Sequence, residues 1–197
     1  MNIPEFPIST DRLSLRLFEP GDLDRLYDYL TLPDSHRYLD APVRDIGEAR
    51  AELSMLRQQK RLSRPGDTLS LAVCAGKDVG LVGHISLRWT DATAAQAELR
   101  FLFDPRHSGQ RYASEAVGAA LDLAFGALQM HRVFVRSSAR HAATVKLLKA
   151  LGMRLEAHYR EHALFQGEWD EEMHFAILDR EWRRTAKVHE LKRPLVA

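Results

Sequence analysis

The chain is 197 residues long and 45% hydrophobic, with 28 Lys and Arg against 27 Asp and Glu. That length and apolar content fit one compact domain with one good core, and the near-neutral balance excludes the broad basic field that nucleic acid or an anionic membrane surface would call for. Cys74 is the sole cysteine, so no internal disulfide is possible; no apolar run approaches spanning length, and MNIPEFPIST has no basic start followed by an apolar stretch, so a soluble cytoplasmic protein is expected.

In chain order, RLSLRLF (12–18) alternates as a strand does, with Leu13, Leu15 and Leu17 on one face. It ends at EPGD, where Pro20 and Gly21 turn the chain and Asp22 is placed to cap a helix with the stripe Leu23, Leu26, Tyr27 and Leu30. Pro33 and Pro42 break the next stretch. Asp45 and Glu48 then stand at capping-box spacing before a second helix with Ala49, Leu53 and Leu56 on one side. TLSLAVCA, VGLVGHISLRW and AELRFLF read as a three-strand meander, with GKD short enough to close a hairpin between the first two.

RHSGQRYASEA (106–116) follows. Pro105 stops the preceding strand, Gly109 frees the backbone, and apolar residues recur from Tyr112 at helical spacing, predicting a helix over about 108–130. RVFVRSS is a short strand, HAATVKLLKALG a helix with Val145, Leu148 and Leu151 inward and Gly152 as its stop, and MRLEAHYREHALF and EEMHFAILD two closing strands before a charged tail. The order predicts an α/β domain over 1–197 with a mixed sheet and helices on both faces, and a parallel crossover around residues 97 to 138. A strand ending at Phe103 therefore delivers a glycine loop with two arginines and no acid to a helix N-terminus, where unpaired backbone N–H groups and the helix dipole favour an anion.

FDPRHSGQRYASEA, together with TDRLSLRLF, KLLKALGM and GEWDEEMHFAILDREW, resembles the RimJ/RimL-type acetyltransferases of the GNAT superfamily, over nearly the whole chain and in the right order. The resemblance implies acetyl-coenzyme A lying in a V-shaped gap between two splayed central strands, with its pyrophosphate on the glycine loop. Carried over residue by residue, the strand end Phe101, Leu102 and Phe103 flanks the cosubstrate. Arg106, His107, Ser108, Gly109, Gln110, Arg111, Tyr112, Ala113 and Ser114 form its cradle, with His141 and Thr144 beside its arm. Residues from about 32 to 66 would wall the acceptor site.

The match departs from the family pattern at three places. Arg111 stands where a second small residue is usual; its side chain points away from the cosubstrate or onto a phosphate, and its N–H keeps its place in the cradle if the residue takes ordinary helical dihedrals, whereas a required positive φ would be a problem there. His141 replaces the family's Asn, and Leu148 replaces a Tyr that would protonate the leaving thiolate. Thr144 keeps a hydroxyl on the same helix face as His141 and is the candidate nearest the leaving sulfur; the bland alternative is that it caps or packs. Glu98 is the candidate base, acting through water, against the alternative of an outward solvated acid, and His84 is a second candidate.

Such transfer needs a neutral amine and a stabilised oxyanion but no covalent nucleophile. A protein α-amine has a pKa of about 7.7–8 and a lysine about 10.4, so neutralising lysine at pH 7 costs roughly 3 kcal/mol more. Thin base machinery thus favours an N-terminal α-amine or a small low-pKa amine as acceptor. HYREH (158–162) matches a zinc-peptidase pattern, but that pattern works on a helix; on a strand the two histidines stand about 13 Å apart, too far to share one zinc at about 2 Å. No metal is therefore expected. Cys74 within LAVCA reads as a small core residue rather than a nucleophile. A second functional reading keeps the fold and acyl-CoA binding but loses transfer, leaving a sensor or partner-binding protein. Trp182 and the basic tail (about 186–197) read either as a homodimer contact or as a mobile end.

Overall fold

The computed structural model describes residues 5–36, 42–165 and 167–184. They form β1 (Ile8–Ser9), β2 (Leu13–Arg16), α1 (Leu23–Leu30), α2 (Pro33–His36), α3 (Ile46–Gln58), β3 (Thr68–Ala75), α4 (Gly76–Val79), β4 (Gly80–Asp91), β5 (Gln96–Phe103), α5 (Tyr112–Phe125), β6 (Arg132–Ser138), α6 (Ala142–Ala150), β7 (Arg154–Phe165) and β8 (Glu168–Leu178). The strands make one sheet in the order β1-β2-β3-β4-β5-β6-β8-β7. Every neighbouring pair is antiparallel except β5 and β6, which are parallel and joined through α5, as a strand–helix–strand crossover requires.

Strand alternation distributes the core over both faces. On one face Leu15, Leu71, Ile85, Leu99, Val133 and Val135 pack with Ala116, Ala120 and Leu123 of α5 and Leu148 of α6. On the other, Leu26, Tyr29 and Leu30 of α1 and Ala49, Leu53 and Leu56 of α3 cover Ala72 and Leu81, with Leu102 packed alongside. The helical stripes read from the sequence therefore pack on the sheet, those of α1 and α3 on one face and those of α5 and α6 on the other. At α3, Asp45 Oδ1 accepts from the Gly47 and Glu48 N–H groups, and the return bond from Glu48 reaches Arg44 rather than Asp45. Gly152 takes φ +82° beyond α6, its N–H donating to Lys149 and that of Met153 to Leu148, the geometry of a glycine helix stop.

Several elements differ from the sequence expectation. Asp22 does not cap α1; its carboxylate is held by Arg16 at 2.6 and 2.8 Å and accepts from the Glu19 N–H. The GKD connection does close the antiparallel β3/β4 hairpin, but through a single helical turn, α4, bounded by Gly76 at φ +52° and Gly80 at φ +74°. Helix α5 starts at Tyr112, because Asp104 opens a separate 3-10 turn at Pro105–His107, and stops at Phe125. Trp182 is not an exposed dimer-contact aromatic: it is 9% exposed, packs on the α5 side of the core, and donates its indole N–H to Asp122 at 2.7 Å. The 186–197 tail lies outside the described residues.

The sheet is tightest where β4 passes the end of β5. A Cβ built on Gly83 would stand 2.6 Å from the Leu102 carbonyl oxygen and 2.6 Å from Phe103 Cδ1, closer than any methyl tolerates without backbone movement. Gly83→Ala is therefore expected to cost about 1–3 kcal/mol, read as a melting temperature lower by roughly 2–10 °C in a thermal denaturation scan.

Candidate active site

The parallel pairing of β5 with β6 runs through three positions, Gln96↔Arg132, Ala97↔Val133 and Glu98↔Phe134, and then stops, although β5 continues to Phe103 and β6 to Ser138. Beyond Glu98 the strands part into a V. Five further residues of β5 give it a wall roughly 16 Å long at strand rise. The Asp104 N–H donates to the Val82 carbonyl, which sets the antiparallel β4/β5 ladder so that Leu102 and Arg100 bond toward β4, while the Leu99 N–H closes the last β6 pairing and the Leu99 C=O and the N–H and C=O groups of Phe101 and Phe103 turn into the gap. Phe101 and Phe103, ring centroids 6.1 Å apart, pack on the α5 face, and Leu102 packs on the α1/α3 face.

Because β5 and β6 are parallel, the helices that follow them both begin at the open mouth of the V. On the β5 side lies the glycine loop. Arg106 donates through its backbone and its guanidinium to Asp104, at 2.6–2.9 Å. Burial pushes the Asp104 carboxyl upward, but the bonds from Arg106 outweigh it and hold the group below its ordinary range. The Arg106 side chain is thus committed to shaping the turn. The N–H groups of His107, Ser108 and Gln110 are spent on Asp104, Pro105 and His107 carbonyls, so these three residues do not contribute free amides to a cradle. Gly109 at φ +82° and Arg111 at φ +61° flank Gln110, and no side chain caps α5. Among the described residues the N–H groups of Gly109, Arg111, Tyr112, Ala113 and Ser114 have no acceptor, the arrangement of an anion-binding nest at a helix N-terminus.

Arg111 is a correction to the sequence expectation. It adopts the left-handed region, not helical dihedrals, and its exposed side chain makes no bond among the described residues. The conformation costs a non-glycine residue about 1–2 kcal/mol. What holds it is the N-terminal segment: Glu115, in the first turn of α5, accepts from Thr10 Oγ1 at 2.5 Å, Arg12 N at 2.8 Å and Arg12 Nε at 2.8 Å, Arg12 also donates to the Gln110 carbonyl, and its guanidinium lies 5.2 Å from the Tyr112 ring centroid.

On the β6 side of the mouth, α6 presents Thr144, 7% exposed, with Oγ1 2.8 Å from His141 Nδ1. The structure joins these two sequence candidates directly. Leu148, in the place of the family Tyr, is fully buried in the core. Glu98 is the last paired residue of β5, at the vertex of the V, and is 3% exposed. It is not an outward solvated acid. Its Oε1 accepts from Arg100 Nε and from Arg136 Nε, each at 2.9 Å. Burial pushes its pKa up, and the two arginine bonds more than offset this, so it stays below the ordinary carboxylate range and is correspondingly weak as a base.

His84 lies away from the vertex, opposite Leu102, with its ring between Phe18 and Tyr29 and Nδ1 2.7 Å from Tyr29 Oη. Burial lowers its pKa to about 4, so it is neutral at pH 7 and a poor proton acceptor. Sequence reasoning named neither Tyr29 as its partner nor the arginines on Glu98. Cys74 is half-buried against the α1/α3 core, and burial raises its thiol pKa, which suits a packing residue rather than a nucleophile. His158 and His162 lie on β7, a strand, and bond or approach Glu171 and Glu172 respectively.

The chain matches the model of the Acetyltransferase (GNAT) domain over residues 12–154. It belongs to the GNAT family of N-acetyltransferases, enzymes that use acetyl-CoA. It is 26% identical over 174 residues to an uncharacterized N-acetyltransferase, p20, of Bacillus licheniformis, covering 88% of this chain and 96% of that one. The expected RimJ/RimL kinship has a distant counterpart in the ribosomal protein uS5 alanine N-acetyltransferase of Escherichia coli, 22% identical over 189 residues, 92% of this chain and 95% of that one. Among solved structures, a spermidine N-acetyltransferase from Vibrio cholerae in complex with CoA and spermine superposes with a TM-score of 0.75 at 20% identity, over 88% of this chain and 99% of that chain. These relatives are named as acetyltransferases, not as silent sensors. No helix among the described residues is long and apolar enough to cross a membrane.

Two outcomes follow from the strained loop and the buried imidazole. Arg111→Gly relieves the left-handed penalty and loses part of the gain to chain entropy, so a net stabilisation of about 0.5–1 kcal/mol is expected, a melting temperature roughly 1–4 °C higher. His84 binds a proton in the unfolded chain near its ordinary pKa of 6.5 but in the folded protein only near 4. Its stabilising effect is thus complete above pH 6.5 and is lost as pH falls toward 4. Denaturant titrations from pH 7 to 4 are expected to show a decline in the wild type that is smaller in His84→Gln by up to about 3 kcal/mol.

Proposed function

We propose that the V is the site of direct acetyl transfer from acetyl-CoA to a primary amine, either a protein N-terminal α-amine or a small-molecule amine. The observation that carries this reading is the early end of the β5/β6 pairing, which aims the free backbone edge of β5 and the bare amides of α5 at one mouth. The unpaired amides of Gly109 and of Arg111 to Ser114 suit a pyrophosphate, and the exposed Arg111 side chain is free to turn onto a phosphate. The gap-facing amides of Phe101 and Phe103 suit an amide-bearing arm, and that of Phe101, nearer the vertex, suits the carbonyl oxygen on which charge develops.

Acetyl-CoA supplies the acetyl group as a thioester. As the acceptor's neutral nitrogen bonds to the carbonyl carbon, the carbon–sulfur bond breaks; of the two protons the ammonium gives up, one goes to the sulfur and one to solvent. Thr144, hydrogen-bonded to His141 on α6, is our candidate hydroxyl for protonating the departing thiolate. Glu98, being ion-paired, orders the acceptor or water at the vertex rather than serving as a strong base. With His84 also a poor base, the chemistry favours acceptors that deprotonate readily. The reading is of one domain over 1–197, working in the cytoplasm.

Ala113→Glu tests the cradle without harming the fold, since a carboxylate in the first turn of α5 suits the helix dipole while competing with a bound anion. Calorimetric titration of the wild type with acetyl-CoA is expected to give one site, and ligand at one hundred times its Kd to add about 2.7 kcal/mol of stability. The variant is expected to melt at or above the wild-type temperature and to bind at least tenfold more weakly. Equal binding by both, or none by the wild type, would remove the cradle reading.

A further inference from the structure

Resting on the acetyl-transfer reading above, we infer that the acceptor amine carries a carboxylate close to it, and that Arg136 docks that group. The face of the sheet bearing Glu98 is the one covered farther along by α1 and α3. Arg100 and Arg136 both spend an Nε–H on the same oxygen, Glu98 Oε1, at 2.9 Å, and Arg88 is the register partner of Glu98 across β4/β5, so its side chain shares that face.

Glu98 does not use up the donors of Arg136. Arg136 keeps both terminal NH2 groups without an acceptor among the described residues, and its side chain is 38% exposed at the vertex. Arg88 is exposed and has no carboxylate partner among them. Among the described residues, Glu172 of β8 does not take up these donors, being engaged by His174, the register partner of Arg136, at 2.6 Å. Arg136 and Arg88 thus leave an excess of guanidinium donors at the vertex, those of Arg136 in a planar fork matched to a carboxylate.

That excess does two things for an amine with an adjacent carboxylate. It binds the acid group bidentately, fixing the nitrogen near the vertex. It also disfavours the ammonium form of the acceptor, since nearby like charges lower its pKa, supplying part of the deprotonation that Glu98 and His84 do not. A polyamine gains neither and brings a second cation into a cationic site.

The test uses matched ligands on the intact protein. N-acetylphenylalanine and its amide, as product analogues, are titrated calorimetrically into the CoA-loaded wild type, Arg136→Gln and Arg136→Lys. In parallel, phenylalanine, phenylalaninamide and spermidine are assayed as acceptors by thiol release. The carboxylate ligand is expected to bind at least tenfold more tightly than the amide in wild type. Arg136→Gln should abolish that preference and Arg136→Lys restore part of it; because Arg136→Gln also removes a bond from the buried Glu98, the preference is read as the ratio of acid to amide affinity within each variant. In turnover the acid is expected to exceed both its amide and spermidine in kcat/KM, although the free amide is the weaker base.

Equal affinity for acid and amide, a preference that survives Arg136→Gln, or preferred turnover of spermidine would overturn the inference. The binding arm separates it from the transfer reading. Preference in binding without thiol release for any acceptor would leave the anion dock standing and remove the transfer; turnover without preference would do the reverse. An Ala-Asp against Ala-Asn dipeptide pair distinguishes a peptide source of the carboxylate from a free amino acid.

Discussion

The structure depends on a ladder that ends early. Two parallel strands that continued to pair beyond Glu98 and Phe134 would satisfy each other's backbone groups and leave a closed sheet with no site. Instead each strand is secured on its far side, β5 by β4 as far as Phe103 and β6 by β8 as far as Ser138. The facing edges can then part without unravelling. The unpaired amides and carbonyls that result are costly to leave dry, so they define a surface that demands a polar ligand of extended shape.

Two devices keep the V open in one geometry. At its vertex, Glu98 bridges the strands through Arg136 on β6 and Arg100 on β5. Such a pair is strong only because the carboxylate is buried; the arginine ends remain wet, which limits its contribution. At its mouth, the segment from Thr10 to Arg12 grips Glu115, the Gln110 carbonyl and the Tyr112 ring. That grip fixes the first turn of α5 and holds Arg111 in a backbone conformation it would not choose alone. The strain sits at the residue whose amide belongs to the nest, where a rigid, slightly costly backbone serves binding.

Much of this was legible in the sequence because it rests on periodicity. The meander, the crossover, both amphipathic helices and the Gly152 stop are local patterns, and β6 runs over the predicted RVFVRSS. The loop's place at a strand end was likewise readable from Pro105 and Gly109. What escaped depends on tertiary partners. The spacing of Glu98 and Arg100, two apart on a strand, already put them on one face, but Arg136 joins them only through a crossover of 38 positions. Trp182 looked exposed because its neighbours are charged, yet α5 offers it Asp122. Asp22 had the residue type for a cap and went instead to Arg16, six residues back across a turn. Arg111 had no local signal for positive φ; the N-terminal grip imposes it.

The gap passes through the full thickness of the sheet, and its two sides are furnished differently: bare amides and the α5 N-terminus at the mouth, guanidinium groups on the α1/α3 face. On the proposed reading, the grip on the acyl donor and the choice of acceptor fall to separate sets of residues. Exchanging Arg88 would then retune what is acetylated while leaving the donor's seat intact, because backbone groups, which side-chain mutation does not alter, form most of that seat. A scaffold divided this way can acquire new acceptors by single substitutions, each tried against an unchanged source of acetyl groups.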